Sequence, residues 1–269
     1  MITRDLDFVI RLCAQRAGLS ITRDKQYLVE NRLAPVARRE GFASIEEFVG
    51  AVRDRDEERL VWALVEAMSP SETSFFREPE TFELIAQKVL PDLAQRLEGR
   101  PLRVWAAACG TGQEVYSLAM LLAEQPMTGS PIELTGSDLC ERRLEKAQSG
   151  LYSQFEVQRG LSAHRLVRHF ENAEDGFALS PRVRATVRWR RVNLIEDLSR
   201  MGRFDLILCR GFASALTDEA RAKVLANLSG ALAEGGYLAL SPGETAQGLA
   251  PATGLSGFLC RAEGERAAA

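Results

Sequence analysis

The chain has 269 residues, of which 46% are hydrophobic and 26% are charged, and its formal net charge is −3. This is the composition of an ordinary globular protein, and the slight negative charge argues against a protein dedicated to coating nucleic acid. We expect no membrane insertion, because no apolar run is long enough to span a bilayer, and no signal peptide, because charged residues interrupt the first apolar pattern.

The cysteines and histidines predict neither a disulfide framework nor a metal site. The five cysteines are scattered and lack C-x-x-C spacing, which indicates reduced thiols and a cytoplasmic protein. The two histidines, His164 and His169, have no cysteine cluster beside them, so we expect no metal.

Residues 1–68 are predicted to form four short helices, because apolar residues recur there at helical spacing. The second of these helices is net basic. Its cations are Lys25, Arg32, Arg38 and Arg39. They form either an ordinary solvated face or a docking face for an acidic helix, and the sequence leaves both interpretations open.

Residues 69–80 have the composition of a linker, but Phe75, Phe76 and Arg77 stand in the middle of it. The two aromatic residues could simply anchor the linker to a core, with Arg77 in solvent. Alternatively they belong to a pocket, where Arg77 lies near a negatively charged substrate.

The stretch that follows has the pattern strand, glycine turn, helix: an apolar run over residues 102–107, then Gly110-Thr111-Gly112, then a helical pattern. Val115 stands where a dinucleotide fingerprint would have its third glycine, and no G-K-[ST] follows Gly112, so the P-loop pattern is absent too. Glu114 is poorly placed for a pyrophosphate and well placed for a cation, such as the sulfonium or amino group of S-adenosylmethionine (SAM). An ordinary tight turn remains the alternative.

A second strand is predicted to end at Asp138, where an acid typically accepts hydrogen bonds from ribose hydroxyls. The same residue could instead cap the helix that follows.

Residues 153–191 interrupt the alternation of strands and helices, and we predict an inserted β subdomain there. Arginines alternate with apolar residues across residues 181–192, which predicts a strand with one basic face. That face is either a solubilising surface or a contact surface for an acidic protein or nucleic acid. After it, Asn193 and Leu194 are expected at the carboxyl edge of the sheet, and residues 204–210 form a strongly apolar strand with a polar end.

Taken in order, these segments resemble the CheR-type chemotaxis receptor methyltransferases, and the resemblance covers nearly the whole chain. The motifs that carry it are SETSFFRE, AAACGTGQEVYSLAM, TGSDLCERRLEKAQSGLY, VRWRRVNL, FDLILCR and EGGYLALSPGET. The resemblance implies an α/β, Rossmann-like SAM-dependent methyltransferase sheet with an N-terminal helical domain and a small inserted antiparallel β subdomain. Its implied domains are residues 1–68, the linker 69–80, the SAM-binding domain 81–262 with an insertion at about 153–191, and a tail at 263–269.

The resemblance also implies a function: SAM-dependent methylation of glutamate carboxylates on the cytoplasmic helices of chemoreceptors, which leaves S-adenosylhomocysteine (SAH). A receptor C-terminal peptide could bind the β subdomain, and we expect a monomer. Carried over residue by residue, Arg77 is the catalytic residue. The cofactor-binding residues are Ser71, Thr73, Arg77, Ala108, Gly110, Glu114, Asp138, Asn193, Leu194 and Arg210. The candidate substrate-docking residues are Arg32, Arg38, Arg39, Arg182, Arg184 and Arg188.

Three positions depart from the family pattern: Ser71 replaces an asparagine, Gly211 replaces another, and Ala215 replaces a tyrosine that lies near the reacting methyl group. The stretch Ser241-Pro242-Gly243-Glu244-Thr245 also departs from the G-H-S-E-S of the family. Gly211 and Ala215 motivate one alternative, a weakly active or inactive module that binds SAM or a receptor. The arginine row that ends near Trp189 motivates another, a SAM enzyme with a different substrate such as RNA.

Overall fold

The computed structural model describes residues 3–55, 57–70, 72–97, 99–124 and 131–261. Contacts divide the chain into two compact units. The first comprises the residues up to Pro70 together with Phe212–Val224, and the second comprises the rest of the chain.

The first unit begins with four helices, each with one apolar face turned inward. They are α1 (Thr3–Ala17), α2 (Gln26–Arg39), α3 (Ile45–Arg55) and α4 (Glu58–Met68). Val9, Val29, Phe48 and Leu64, one from each helix, are completely buried.

The second unit is built on a seven-stranded sheet. Its first elements are α5 (Pro79–Leu84) and α6 (Leu90–Arg96), joined by a π-helical turn at Ile85–Val89, then β1 (Leu102–Ala107), α7 (Gln113–Glu124), β2 (Ile132–Asp138) and α8 (Glu141–Ser149). An insertion follows, with β3 (Leu151–Tyr152), α9 (Gln154–Gln158), α10 (Ala163–His169), β4 (Phe170–Ala173), β5 (Gly176–Leu179) and α11 (Pro181–Arg184). The chain then forms β6 (Val187–Arg191), β7 (Phe204–Leu208), α12 (Asp218–Ala231), β8 (Leu232–Ala239), β9 (Ala250–Pro251) and β10 (Phe258–Cys260).

The strand order of the large sheet is β6-β2-β1-β7-β8-β10-β9. The first five strands in this order run parallel, and β10 and β9 join as antiparallel strands at one edge. A separate antiparallel sheet with the order β3-β5-β4 forms the core of the insertion.

The end of the insertion differs from the sequence-based prediction. Pro181–Arg184 is a short helix rather than part of a strand, and Val187–Arg191 pairs with β2 in the large sheet. The helix begins here because Pro181 occupies its first turn, where a missing N–H costs nothing, and it buries Val183. The predicted arginine row is therefore wrong for Arg182 and Arg184, which lie on α11. The alternation does hold along β6, where Arg188 and Arg190 are exposed while Val187 is buried.

No helix among the described residues is long and apolar enough to cross a membrane. The predicted tail at 263–269 lies outside the residues that the structure describes.

Candidate active site

The carboxyl ends of the parallel strands lie along one edge of the large sheet, and the strand order changes direction at β1. From β1 the chain moves to β2 on one side, whereas β7 pairs with β1 on the other side. In open α/β sheets a ligand binds in the crevice at this switch point. Two predicted residues follow the two strands that flank it: Ala108 after β1 and Arg210 after β7.

The turn after β1 has an unusual backbone. Ala108, Gly110 and Gly112 all have positive φ, at 52°, 58° and 91°. A Cβ on Gly110 would stand 3.2 Å from the Thr73 side chain, so the turn and the linker are in close contact. Left-handed backbone at a non-glycine residue such as Ala108 is costly and is concentrated at functional sites.

Gly112 makes room for the protein itself. A Cβ on Gly112 would lie 2.9 Å from the Trp189 ring, and one on Gly136 would lie 2.6 Å from the same ring. Trp189 also packs edge-on against Tyr116, with ring centroids 5.5 Å apart. The second glycine of the turn is thus explained by the packing of an aromatic side chain.

Asp138 is buried at the end of β2 and joins the two adjacent turns. Its Oδ2 accepts a hydrogen bond from the Gly110 N–H at 2.9 Å, and its Oδ1 accepts one from the Cys140 N–H at 2.9 Å. Burial raises the pKa of this carboxyl, and Arg143, 3.5 Å away, opposes that rise together with the backbone amides. Because a carboxylate offers about four lone-pair positions, Asp138 retains acceptor capacity for a ribose hydroxyl.

Glu114 and Arg210 form a buried ion pair at the switch point. The Arg210 Nε donates to Glu114 Oε1 at 2.7 Å, and the Arg210 side chain is only 2% exposed. The remaining guanidinium nitrogens donate to the Arg77 carbonyl oxygen at 2.7 Å and to Glu78 Oε2 at 3.1 Å. Arg210 thereby joins the glycine-turn helix to the linker.

Arg77 itself projects its side chain beside the end of β7. A Cβ on Gly211 would lie 2.8 Å from the Arg77 guanidinium, and Gly211 has φ +71°. The Arg77 side chain is 37% exposed, and its Nε lies 3.9 Å from Glu78 Oε1. Gly211, which stands where the resemblance implies an asparagine, therefore provides the space that Arg77 occupies.

Two further predicted cofactor residues, Asn193 and Leu194, lie directly after β6. Leu194 is buried, and its carbonyl oxygen accepts a hydrogen bond from Asn227 at 2.9 Å. Asn193 is half-buried and donates to Glu196 at 3.2 Å. Ser71 lies outside the described residues.

The candidate docking arginines fall into different environments. Arg32 donates to the Met68 carbonyl oxygen at 2.7 Å, and Arg39 pairs with Glu40 at 3.0 Å. Arg184 donates to the Ser149 carbonyl oxygen at 2.7 Å. The other three, Arg38, Arg182 and Arg188, are exposed, although Arg188 lies 3.8 Å from Glu133.

Several residues that support the candidate site were not predicted from the sequence. Ser117 accepts the Phe76 N–H at 2.8 Å, and Tyr152 donates its hydroxyl to the Thr111 carbonyl oxygen at 2.7 Å. Arg143 lies beside Asp138. Only the tertiary fold brings these residues to the site, and no local spacing signalled them.

Comparison with known proteins identifies the family. The model of the CheR methyltransferase all-alpha domain matches residues 4–69, and that of the CheR methyltransferase SAM binding domain matches residues 71–252. The chain is 34% identical over 238 residues to chemotaxis protein methyltransferase 1 of Pseudomonas aeruginosa, covering 86% of each chain. It is 33% identical over 259 residues to chemotaxis protein methyltransferase Cher2 of Pseudomonas putida, covering 93% of this chain and 94% of that one.

Similarity to solved structures is more distant. PKMT2 from Rickettsia typhi matches with a TM-score of 0.37 at 17% identity, covering 63% of this chain and 26% of that chain. A similarity of this size identifies neither substrate nor partner.

The chain belongs to the CheR methyltransferase family. It is a SAM-dependent protein methyltransferase, and the predicted fold class is confirmed. The residues present fit SAM, because the Asp138 carboxylate at the end of β2 binds the backbone of the glycine turn and suits a ribose hydroxyl. Glu114 follows the turn on α7 and is held there by Arg210.

Proposed function

We propose that this protein transfers the methyl group of SAM to glutamate side chains on the cytoplasmic helices of a chemoreceptor. The products are glutamate methyl esters and SAH. The substrate class follows from relatives named as chemotaxis protein methyltransferases, which match this chain over most of its length. The alternatives, a regulatory module or an enzyme acting on RNA, are not favoured by these relatives.

The observation that carries the chemical role is the position of Arg77. Its guanidinium lies at the carboxyl end of β7, partly open to solvent, in the space that Gly211 leaves. A guanidinium recognises a carboxylate through two parallel hydrogen bonds. Arg77 can therefore orient the acceptor carboxylate or hold the cofactor.

The reaction requires alignment more than proton transfer. A glutamate side chain has a pKa of about 4.3 and is already ionised at neutral pH, so no general base is needed. Bound SAM supplies an electrophilic methyl group. The protein must align the carboxylate oxygen with that methyl group and exclude water from the nucleophile. A strong ion pair would make the carboxylate less nucleophilic, so we assign Arg77 a positioning contact with the substrate rather than a tight one.

We propose the following cofactor contacts and partners. The cofactor is held by residues of the linker and of the turns after the strands: Thr73, Arg77, Ala108, Gly110, Glu114, Asp138, Asn193, Leu194 and Arg210. Exposed Arg38 on α2 meets acidic receptor helices, and the edge strand β4 of the small sheet accepts a receptor C-terminal peptide as an added strand. The enzyme acts as a monomer in the cytoplasm.

The first test of the cofactor site is calorimetric titration with SAH. The wild-type protein should bind SAH with micromolar or tighter affinity, and Asp138→Ala should lose it. Asp7→Ala, which removes a carboxylate of the helical unit that pairs with Arg23, is the matched control and should bind normally. Absence of binding by folded wild-type protein would contradict the cofactor site.

The second test uses tritiated SAM and receptor cytoplasmic fragments. We expect label on the receptor that mild base releases as methanol, because a glutamate methyl ester is base-labile. Arg77→Ala should abolish this transfer while the protein remains folded. Full transfer in Arg77→Ala would contradict its role, and base-stable label would contradict glutamate as the acceptor.

A further inference from the structure

The two phenylalanines of the linker pack in opposite directions. Phe75 is completely buried and packs edge-on against two rings of the inserted subdomain, Tyr152 of β3 at 5.1 Å and Phe170 of β4 at 5.7 Å between centroids. Phe76 packs instead against Phe82 of α5, with centroids 5.1 Å apart. The linker thus passes between the inserted subdomain and the main body of the second unit.

The inserted subdomain also holds the linker backbone. The Phe75 N–H donates to the Arg159 carbonyl oxygen at 3.2 Å. A Cβ on the next residue, Gly160, would overlap the Phe75 carbonyl oxygen. Gly160 is therefore required by the close approach of the linker, in addition to its own φ of +90°.

A second contact comes from α10 of the subdomain. The Arg165 guanidinium lies over the Phe76 ring, 3.9 Å from its centroid, and the same guanidinium forms two parallel hydrogen bonds to Glu124 at the end of α7. The Phe76 N–H is bound by Ser117 of α7. Phe76 is consequently fixed from both sides immediately before Arg77.

The linker conformation requires such support. Phe76 and Glu78, the neighbours of Arg77, have positive φ values of 44° and 54°. Non-glycine residues in this region cost roughly 1–3 kcal/mol each and persist only where surrounding contacts hold them. On one side that support is Arg210, and on the other it is the inserted subdomain.

We propose that the inserted subdomain positions the cofactor site: Phe75 and Gly160 are positioning residues that hold Arg77 and Thr73 in place through the linker. The subdomain thereby contributes to SAM binding and methyl transfer as well as to any peptide docking. This inference rests on the proposed roles of Arg77 and Thr73 in the cofactor site.

The experiment compares two glycine substitutions in the full-length protein. Gly160→Ala forces the linker to shift, whereas Gly41→Ala introduces a similar backbone strain, at φ +85°, with no described atom within 4 Å of the new Cβ. Calorimetry should show SAH affinity reduced at least about 10-fold in Gly160→Ala, which corresponds to the loss of about one hydrogen bond between the displaced linker and the cofactor. Gly41→Ala should stay within about 2-fold of wild type, because it introduces the backbone strain without the clash with the linker.

A second pair separates positioning from stability. Phe75→Leu removes the ring that packs into the subdomain, whereas Phe258→Leu makes the same change in the core of the same unit, on β10. Phe75→Leu should weaken SAH binding, and Phe258→Leu, at similar loss of stability, should not.

Equal SAH affinities within each pair would overturn the proposal. So would an Arg77→Ala, Thr73→Val double variant with wild-type SAH affinity, because the linker would then not carry the cofactor. The second result would also remove Thr73 and Arg77 from the proposed cofactor contacts. The proposed methyl transfer fails separately, if wild-type protein binds SAH but labels no receptor glutamate.

Discussion

Arg210 and Glu114, 96 residues apart in sequence, form a hydrogen-bonded ion pair that is almost sealed from water. Such a pair contributes little net stability but is costly to break, because the remaining charge stays buried without its partner. Here the remaining charge would be the guanidinium that also holds the Arg77 carbonyl oxygen.

Glu114→Gln should therefore destabilise the protein by about 2–4 kcal/mol, somewhat less than the full cost of an orphaned charge because Glu78 still pairs with Arg210. Urea unfolding at neutral pH measures the loss. Exposed Glu83 provides the control, and Glu83→Gln should change the free energy of unfolding by no more than about 0.5 kcal/mol. An unfolding curve for Glu114→Gln that matches wild type would contradict the burial argument.

The contact between Gly136 and Trp189 predicts a strong effect of a single methyl group. In Gly136→Ala the new Cβ would lie 2.6 Å from the Trp189 ring, so the ring must move, at a cost of about 1–3 kcal/mol. The double variant with Trp189→Phe should recover part of this loss.

Gly230→Ala is the matched control for Gly136→Ala. Gly230 lies in α12, and no described atom outside the helix's own backbone lies within 4 Å of its built Cβ, so alanine should stabilise by about 0.5–1 kcal/mol. Thermal unfolding of Gly136→Ala, of its double variant with Trp189→Phe and of Gly230→Ala checks both the expected loss and the expected gain of stability. Equal melting temperatures for Gly136→Ala and Gly230→Ala would contradict the steric account.

The stability of the subdomain contact with α7 should depend on pH through Glu124. Burial disfavours ionisation of this carboxyl, but hydrogen bonds from Arg165 and His169 outweigh burial and lower its pKa. A carboxyl whose pKa is lowered by folding stabilises the protein above its unfolded pKa of about 4.3. That contribution disappears as the pH falls through the lower pKa of the folded state.

Wild type and Glu124→Gln should therefore differ most in free energy of unfolding near neutral pH and converge in acid. Glu171→Gln, at an exposed carboxyl on β4, controls for the loss of one charge. A difference that stays constant between neutral and strongly acidic pH would show that the Glu124 ion pair does not contribute.

The cysteines should be alkylated by iodoacetamide in an order set by the burial of their thiols. Burial raises the pKa of the Cys109 thiol well above its usual value and that of Cys13 to about 12, whereas Cys260 is only partly buried. Because the thiolate is the reactive form, iodoacetamide at neutral pH should label Cys260 first in native protein. Peptide mass spectrometry checks the order, and rapid native labelling of Cys109 would contradict it.

Local patterns predicted the strands and the glycine turn, but not the partners of the charged residues. Glu114 and Asp138 were identified because one directly follows the glycine turn and the other ends a strand, and these positions alone indicate a ligand-binding role. Glu114 was expected to face a cation, and in the structure it pairs with the Arg210 cation from β7. Such a pairing depends on strand order, which the spacing of residues does not encode.

The strand prediction for residues 181–192 shows that a local pattern can also predict the wrong secondary structure. Alternation alone favoured one long strand, yet the proline after Ser180 starts a helical turn that buries Val183, and the strand begins only at Val187. A four-residue helix has too few positions for its period to be distinguished from alternation.

The inserted subdomain leaves and re-enters the main fold at nearly one point. The Leu179 N–H donates to the Gly150 carbonyl oxygen at 2.8 Å, and Leu151 pairs with Ala178 beside it. Such an insertion can be exchanged between related proteins, or shortened to a tight turn, without rethreading the large sheet. A chimera that receives a foreign subdomain must still offer Phe75 a surface to pack on, as Tyr152 and Phe170 do here. This packing surface, rather than the two points where the chain enters and leaves the subdomain, limits which subdomains can be exchanged.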